Sequence, residues 1–218
     1  MNNSNHPNYS NDAEAQLMVR VSQDDAEAYQ RLLLIYQPRI MRLLQHTVGS
    51  SPLAEDLTQD VFLRVWRARK TYQPTARFST WIFHIAHNVA SNAIRDRSRK
   101  REVQTWPGES DSTSVRTVDQ VAYASTGAMP VRNFDKAERA ELVQTALQAL
   151  SPRQRTALLL SKFEDLSYEE IGQAMEMSIP AVKSLLSRAR VNLRNLLQPY
   201  FPEEHSPFPN SDSESIEP

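Results

Sequence analysis

An all-α fold, built as two small helical domains joined by a flexible linker, is predicted from three observations. Only four glycines occur in 218 residues, and strand-like alternation of apolar and polar residues is nearly absent, so little favours sheets and their turns. Apolar residues recur instead at helical spacing in two blocks, 12–101 and 134–197. Between them, residues 102–133 keep no period and are dominated by Ser, Thr, Gly and Pro. The two blocks are expected to fold separately and to be tethered by slack chain.

Residues 1–11 are rich in Asn and Ser and are expected to be disordered. Asp12–Val21 is a short helix with Leu17, Met18 and Val21 apolar. Asp24 or Asp25 can cap the next helix, whose Tyr29, Leu32, Leu33 and Tyr36 share a face. Pro38 is expected to end or kink it, because proline removes an interior N–H and its ring crowds the preceding turn. Ile40, Leu43, Leu44 and Val48 continue the period to Gly49, and Ser51 or Pro52 starts a new helix.

That helix, about Glu55–Lys70, opens acidic and ends basic, an order that suits the helix dipole. Leu57, Val61 and Val65 form one apolar row, with Phe62 and Trp66 in a second beside it. Asp56, Gln59, Asp60, Arg64 and Arg67 remain outside. A connector with Pro74 follows, and Ser79 or Thr80 is expected to cap a second helix. Its Ile82, Ile85, Ala86, Val89 and Ala93 line one face. His84, Asn88, Ser91 and Arg95 share the other by spacings of four, three and four. That polar stripe runs into Arg97, Arg99, Lys100 and Arg101, opposed only by Asp96. It suits a nucleic-acid backbone, although a solvated helix end would carry the same residues.

As a coil the 102–133 segment would span roughly 30 Å, and fully extended on the order of 100 Å. One turn of DNA is about 34–36 Å, so two domains could sit one to two turns apart. Trp106 and Tyr123 interrupt its polarity.

Helical signal returns at Asp135, with a stripe of Leu142, Ala146, Leu147 and Leu150. Ser151-Pro152-Arg153-Gln154 and Ser167-Tyr168-Glu169-Glu170 are capping-box patterns. Ser178 caps the last helix, whose core face is Val182, Leu185, Leu186, Ala189, Leu193 and Leu196. Pro180 and Ala181 lie at its start, and Lys183, Ser184, Ser187, Arg188, Arg190 and Arg194 lie outside. Short helices joined by a tight turn, the last one basic, form a helix-turn-helix layout. Its start would enter the major groove, where Lys, Arg and Ser reach phosphates or base edges. A helical hairpin with a solvated basic face is the blander alternative. Residues 198–218 are rich in Pro, Ser and acid, and read as a disordered tail that solubilises the chain or competes weakly with DNA.

The net charge of −1 hides a segregation. Residues 77–101 hold six basic groups and one acidic, 179–196 four basic and none acidic, and 198–218 five acidic with no Lys or Arg. Local field, rather than the total, governs contact with nucleic acid. There is no cysteine, which excludes disulfides and thiol chemistry. No apolar run approaches the ~18–20 residues of a membrane span, and the N-terminus lacks the layout of a signal peptide. A cytoplasmic protein without membrane insertion is expected. His84 and His87 are three apart, a spacing able to bind metal, but no third ligand follows a zinc pattern. With no phosphate loop or nucleophile elbow either, no metal, cofactor or enzymatic activity is expected.

AEDLTQDVFLRVW followed by FSTWIFHIAHNVASNAIRDRSRK resembles region two of the extracytoplasmic-function (ECF) sigma factors of bacterial RNA polymerase. The stretch 150–197 resembles their region four. The resemblance implies that Asp56, Gln59, Asp60, Arg64 and Arg67 face core RNA polymerase. It implies that Tyr72–Trp81 hold the unpaired –10 strand of promoter DNA, with Phe78 and Trp81 read here as core. His84, Asn88, Ser91, Arg95, Arg97, Arg99 and Lys100 would then contact bases or backbone, and residues 180–190 the –35 element. An inhibitory anti-sigma partner is also implied. Two departures stand out: Glu176, where the family commonly has glycine in the turn, and Leu186, where it often has arginine. A plain helix-turn-helix regulator would explain only the C-terminal block. A polymerase-sequestering module would bind core without directing initiation.

Overall fold

The computed structural model describes residues 9–104 and 136–200. All regular structure among them is helical. After a short 3-10 turn at Tyr9–Asn11 come α1 (Ala13–Ser22), α2 (Ala26–Val48), α3 (Ser51–Ala68) and α4 (Phe78–Gln104). The second block holds α5 (Lys136–Ala149), α6 (Pro152–Phe163), α7 (Tyr168–Met175) and α8 (Ile179–Leu197). Residues 1–8, most of the expected linker with Trp106 and Tyr123, and tail residues 201–218 lie outside the described residues. The backbone of α4 stays helical three residues beyond 101, where the linker was expected to begin.

Local chemistry accounts for most boundaries. Asp25, rather than Asp24, caps α2: its carboxylate accepts from Ala28 N at 3.0 Å. Ser151 and Ser167 both close full capping boxes, with Gln154 and Glu170 reaching back. Ser178 occupies the N-cap of α8 but makes no side-chain cap bond, and Pro180 supplies the pre-set first turn. α2 ends at Gly49, which is left-handed at φ 69°. A Cβ there would also meet Gln148 Oε1 at 2.9 Å.

Two boundaries differ from expectation. Pro38 neither ends nor interrupts α2, which runs 23 residues through it. Proline in a helix interior costs about 3 kcal/mol, but burial of Leu32 and Tyr36 before it and of Ile40 and Leu44 after it holds the helix together. Pro38 itself lies on the exposed face. α3 starts at Ser51 with Pro52 in its first turn, where that pair predicts a start, and so extends about a turn before Glu55. α4 starts at Phe78, so Ser79 and Thr80 lie inside its first turn rather than capping it. The cap comes from a distant residue. Asp12 accepts from Phe78 N at 2.8 Å through one oxygen and from Glu14 N at 3.1 Å through the other.

The first block buries Tyr36, Phe78 and Phe83 among the aliphatic residues of α1 to α4. Phe78 is fully buried and Trp81 half-buried, stacked edge-on to Tyr72 at 4.9 Å between ring centroids. The second block keeps a small core of its own, Ala146, Leu147, Leu150, Leu158, Leu193 and Leu197, but its other buried apolar residues join those of the first block. One continuous apolar cluster runs from Met18, Leu32 and Phe83 to Leu160, Ile171, Met175 and Leu186. The expected separately folded domains are therefore docked, because α6 and α7 present apolar residues that α2 and α4 cover.

Candidate nucleic-acid and polymerase interfaces

The last helix builds one surface. Val182, Leu185, Leu186 and Ala189 turn into the core, Leu186 completely. Helical geometry then forces Lys183, Ser184, Ser187, Arg188 and Arg190 outward, and all five are exposed. Pro180 is exposed and Ala181 half-buried at the start. Leu186 lies in the core, so it offers nothing to a base edge. The turn before α8 is held by Met177 N donating to Gly172 O at 2.8 Å. A Cβ at Gly172 would meet Met177 O at 2.7 Å, so glycine is needed there. Glu176 adopts the left-handed conformation at φ 54°, ψ 48°. The turn geometry is kept, at a conformational cost of about 1–2 kcal/mol for a residue with a Cβ.

The polar stripe of α4 behaves differently, because α7 lies along it. His84 Nδ1–H donates to Ala174 O at 3.3 Å, and Asn88 donates to His84 Nε2 at 3.0 Å; this tautomer satisfies both contacts. Glu176 Oε1 stands 3.6 Å from the same Nε2. His87 and Ser91 lie 3.5 Å apart, and burial pushes the His87 pKa below its ordinary value, with His84 adding to the shift. Only the far end of α4 is open: Arg95, Arg97 and Arg99 are exposed. Lys100 lies on the helix beyond them.

On α3, Asp56, Gln59, Arg64 and Arg67 are exposed and Asp60 half-buried, together on the side away from Val61 and Val65. Arg64 and Asp60 pair at 2.9 Å along the helix. Leu63, absent from the residues selected by pattern, sits among them 52% exposed.

Comparison with known proteins decides the family. Residues 32–100 match the model of Sigma-70 region 2, and residues 140–193 that of Sigma-70, region 4. The RNA polymerase sigma-H factor of Pseudomonas aeruginosa is 32% identical over 197 residues, 87% of this chain and 96% of that protein. This chain belongs to the ECF sigma factors. The sigma factor CarQ of Myxococcus xanthus is 33% identical over 83% of this chain and 95% of its own length. The ECF sigma-E factor of Escherichia coli is 29% identical over 84% and 93%. Among solved structures, the sigma factor RpoE of Bartonella quintana, in complex with the anti-sigma factor NepR, superposes with a TM-score of 0.61 at 24% identity, over 79% of this chain and 98% of that one. CnrH, in complex with the cytosolic domain of CnrY, gives 0.61 at 20%, over 86% and 99%. These two likenesses concern the fold.

Sigma factors are not enzymes; this one acts in promoter-specific transcription initiation with RNA polymerase. No helix of the described residues is long and apolar enough to cross a membrane. Sequence patterns missed the residues that join the two regions of the sigma factor. Arg155, 5% exposed, donates to Leu147 O and Leu150 O in its own region and to His46 O and Thr47 O at the end of α2. Arg39 pairs with Glu164 at 2.6 Å. Helical periodicity marks both positions only as polar, with no sign of a partner more than 100 residues away.

Proposed function

We propose that this sigma factor carries core polymerase to promoters by dividing the work between its regions. The α3 face of Asp56, Gln59, Asp60, Arg64 and Arg67 docks on core RNA polymerase. His84, Asn88, Ser91 and Arg95 contact an opened –10 element, and Arg97, Arg99 and Lys100 its phosphates. Capture of unpaired bases on a basic groove drives melting without ATP. Pro180, Ala181, Lys183, Ser184, Ser187, Arg188 and Arg190 read the duplex –35 element. On this reading 12–101 is the region-two unit, 134–197 the region-four unit, and 102–133 the tether between them.

The observation that carries this reading is the outward face of α8, exposed, basic and free of acid over 179–196. An anti-sigma factor is the expected inhibitor, as NepR is the partner of the RpoE that shares this fold. The protein would work in the cytoplasm, where promoter DNA is found. Run-off transcription with purified core polymerase tests the reading. Addition of the chain should produce discrete transcripts from promoters mapped by start-site sequencing after overproduction. Binding to core without a specific transcript would favour a sequestering module instead.

A further inference from the structure

We propose that α1 is a brace for the connector between α3 and α4: two acids at its ends, Asp12 and Asp24, fasten the two ends of that connector and set it in the shape that receives unpaired promoter strand. This deepens the reading that Tyr72–Trp81 hold the –10 strand, and rests on it. α3 ends at Ala68 and α4 begins at Phe78, so the connector is residues 69–77. Its internal bonds are short-range. Thr71 N and Oγ1 donate to Ala68 O at 3.0 and 3.1 Å, and Thr75 N donates to Gln73 O at 2.8 Å. Both ends are tied instead to the flanks of α1.

At the far end Asp12 serves two helices. One oxygen accepts from Glu14 N at 3.1 Å and caps α1, and the other accepts from Phe78 N at 2.8 Å and caps α4. Burial pushes the Asp12 carboxyl up, but hydrogen bonds from Glu14 and Phe78 outweigh it and hold its pKa below the ordinary value. The cap is therefore a carboxylate, the stronger kind of acceptor. Phe78 is fully buried, 5.6 Å from the Trp81 ring centre and 6.1 Å from that of Tyr72. The Tyr72 hydroxyl is buried and has no hydrogen-bond partner among the described residues. Its ring is thus placed by Phe78 and Trp81, and through them by the Asp12 cap.

At the near end stands Asp24, just past α1. It adopts φ 65°, a left-handed conformation that is strained for a residue with a Cβ. From there its carboxylate receives Lys70 Nζ at 2.6 Å and Arg69 Nε at 3.1 Å. Each cation has a second anchor: Lys70 donates to Ser22 O at 2.8 Å, and the Arg69 guanidinium lies 4.0 Å from the Trp66 ring centre. One exposed ion pair would contribute little. One carboxylate meeting two adjacent, doubly anchored cations fixes where the connector leaves α3. Backbone strain of this kind persists where the surroundings over-determine it.

The experiment uses holoenzyme reconstituted from core polymerase and the full chain. Asp12→Asn keeps a good cap and one acceptor for α1, and removes the second anionic oxygen that α4 uses. Asp24→Asn keeps a residue that tolerates the left-handed conformation, and removes the charge that holds Arg69 and Lys70. Both leave in place every residue proposed to touch DNA or polymerase. Affinity is measured for a single-stranded oligonucleotide of the mapped –10 sequence, for a scrambled one and for the –35 duplex. Amide exchange over 69–78 is followed in the free chain.

Both variants should speed exchange over 69–78. Asp12→Asn should weaken –10 single-strand binding about fivefold, as when a lost cap leaves the connector correctly placed a fifth of the time. Asp24→Asn should weaken it about twofold, because its ion pairs are exposed. Duplex binding and association with core stay at the parent level. Unchanged single-strand affinity in either variant overturns the proposal. So does an equal loss of –35 and core binding, which would mark a general structural defect. The parent separates the two levels. A parent holoenzyme with no preference for the –10 strand over the scrambled one sinks the reading of Tyr72–Trp81, whereas a parent with that preference and variants that match it sink the brace alone.

Discussion

α4 and α8 are two helices with similar credentials and different circumstances. Each has one apolar face and one polar face that runs into arginine. α8 shows its polar face to solvent, with Lys183, Ser184, Ser187 and Arg188 all exposed. α4 has the same kind of face under another helix, and of its basic residues Arg95, Arg97 and Arg99 emerge. The contrast teaches that a polar stripe records what a helix can bind, not whether it is free to bind. A stripe of modest polar groups such as His84 and Asn88 can be covered because carbonyls opposite satisfy it. A row of lysine and arginine cannot be covered without acids to meet it, and among the described residues no acid pairs with Lys183, Arg188 or Arg190 of α8.

Four measurements would break or sharpen the contrast. The largest effect is expected from Leu186→Ala. It removes a fully buried side chain from α8 and should cost about 2–5 kcal/mol in urea unfolding, with loss of –35 duplex binding. A near-neutral result would mean that α8 does not turn this face to the core. Arg155→Ala comes next. It leaves carbonyls of α5 and α2 without their donor and should destabilise by about 3 kcal/mol.

Lys183→Ala, on the open helix, should leave the unfolding midpoint alone. It should weaken duplex binding by several-fold and flatten the slope of log affinity against log salt by about one. The same slope in parent and variant would remove Lys183 from the phosphate contacts.

The smallest effect is a pH dependence confined to the covered side. Burial depresses the pKa values of His87 and His46. The folded, docked form therefore holds both neutral, and an opened or unfolded form binds more protons below the ordinary value of 6.5. Their contribution is fully present above that value and is lost as pH falls through the window beneath it. Other charges face these rings: His84, Arg153 and Glu176 around His87, and Arg42 and Arg155 around His46. Stability to urea should decline from about pH 7.5 to about pH 5.5. A flat profile would show that folding does not hold these two histidines neutral. Glu164 shifts the opposite way, since burial raises its pKa, but its influence belongs to the lower, carboxylate range.

Much of the architecture was legible without coordinates, and the reason is locality. The two capping boxes at Ser151 and Ser167 are written within four residues each. The core faces of α3 and α8 follow from spacing alone, since 3.6 residues per turn places Val61 and Val65, or Leu185 and Ala189, on one side. Phe78 reads correctly as core by the same logic. Where the sequence misled, a distant partner intervened. Ser79 and Thr80 were reasonable caps for α4, but Asp12, 66 residues earlier, took the role. Pro38 carried a strong local signal to stop, and burial on both sides of it outweighed that signal. Glu176 departs from the glycine common in the family's turn, yet it adopts the left-handed conformation that glycine would have taken.

By itself, then, the amino-acid order determined that this sigma factor is helical, where its helices bury themselves and which faces carry charge, because each of these depends on neighbours within a turn or two. Only the tertiary structure decided which of those faces is available. That depended on Arg39 meeting Glu164 and on α7 lying across His84, contacts between residues 125 and 90 positions apart, and helical period carries no information at that range.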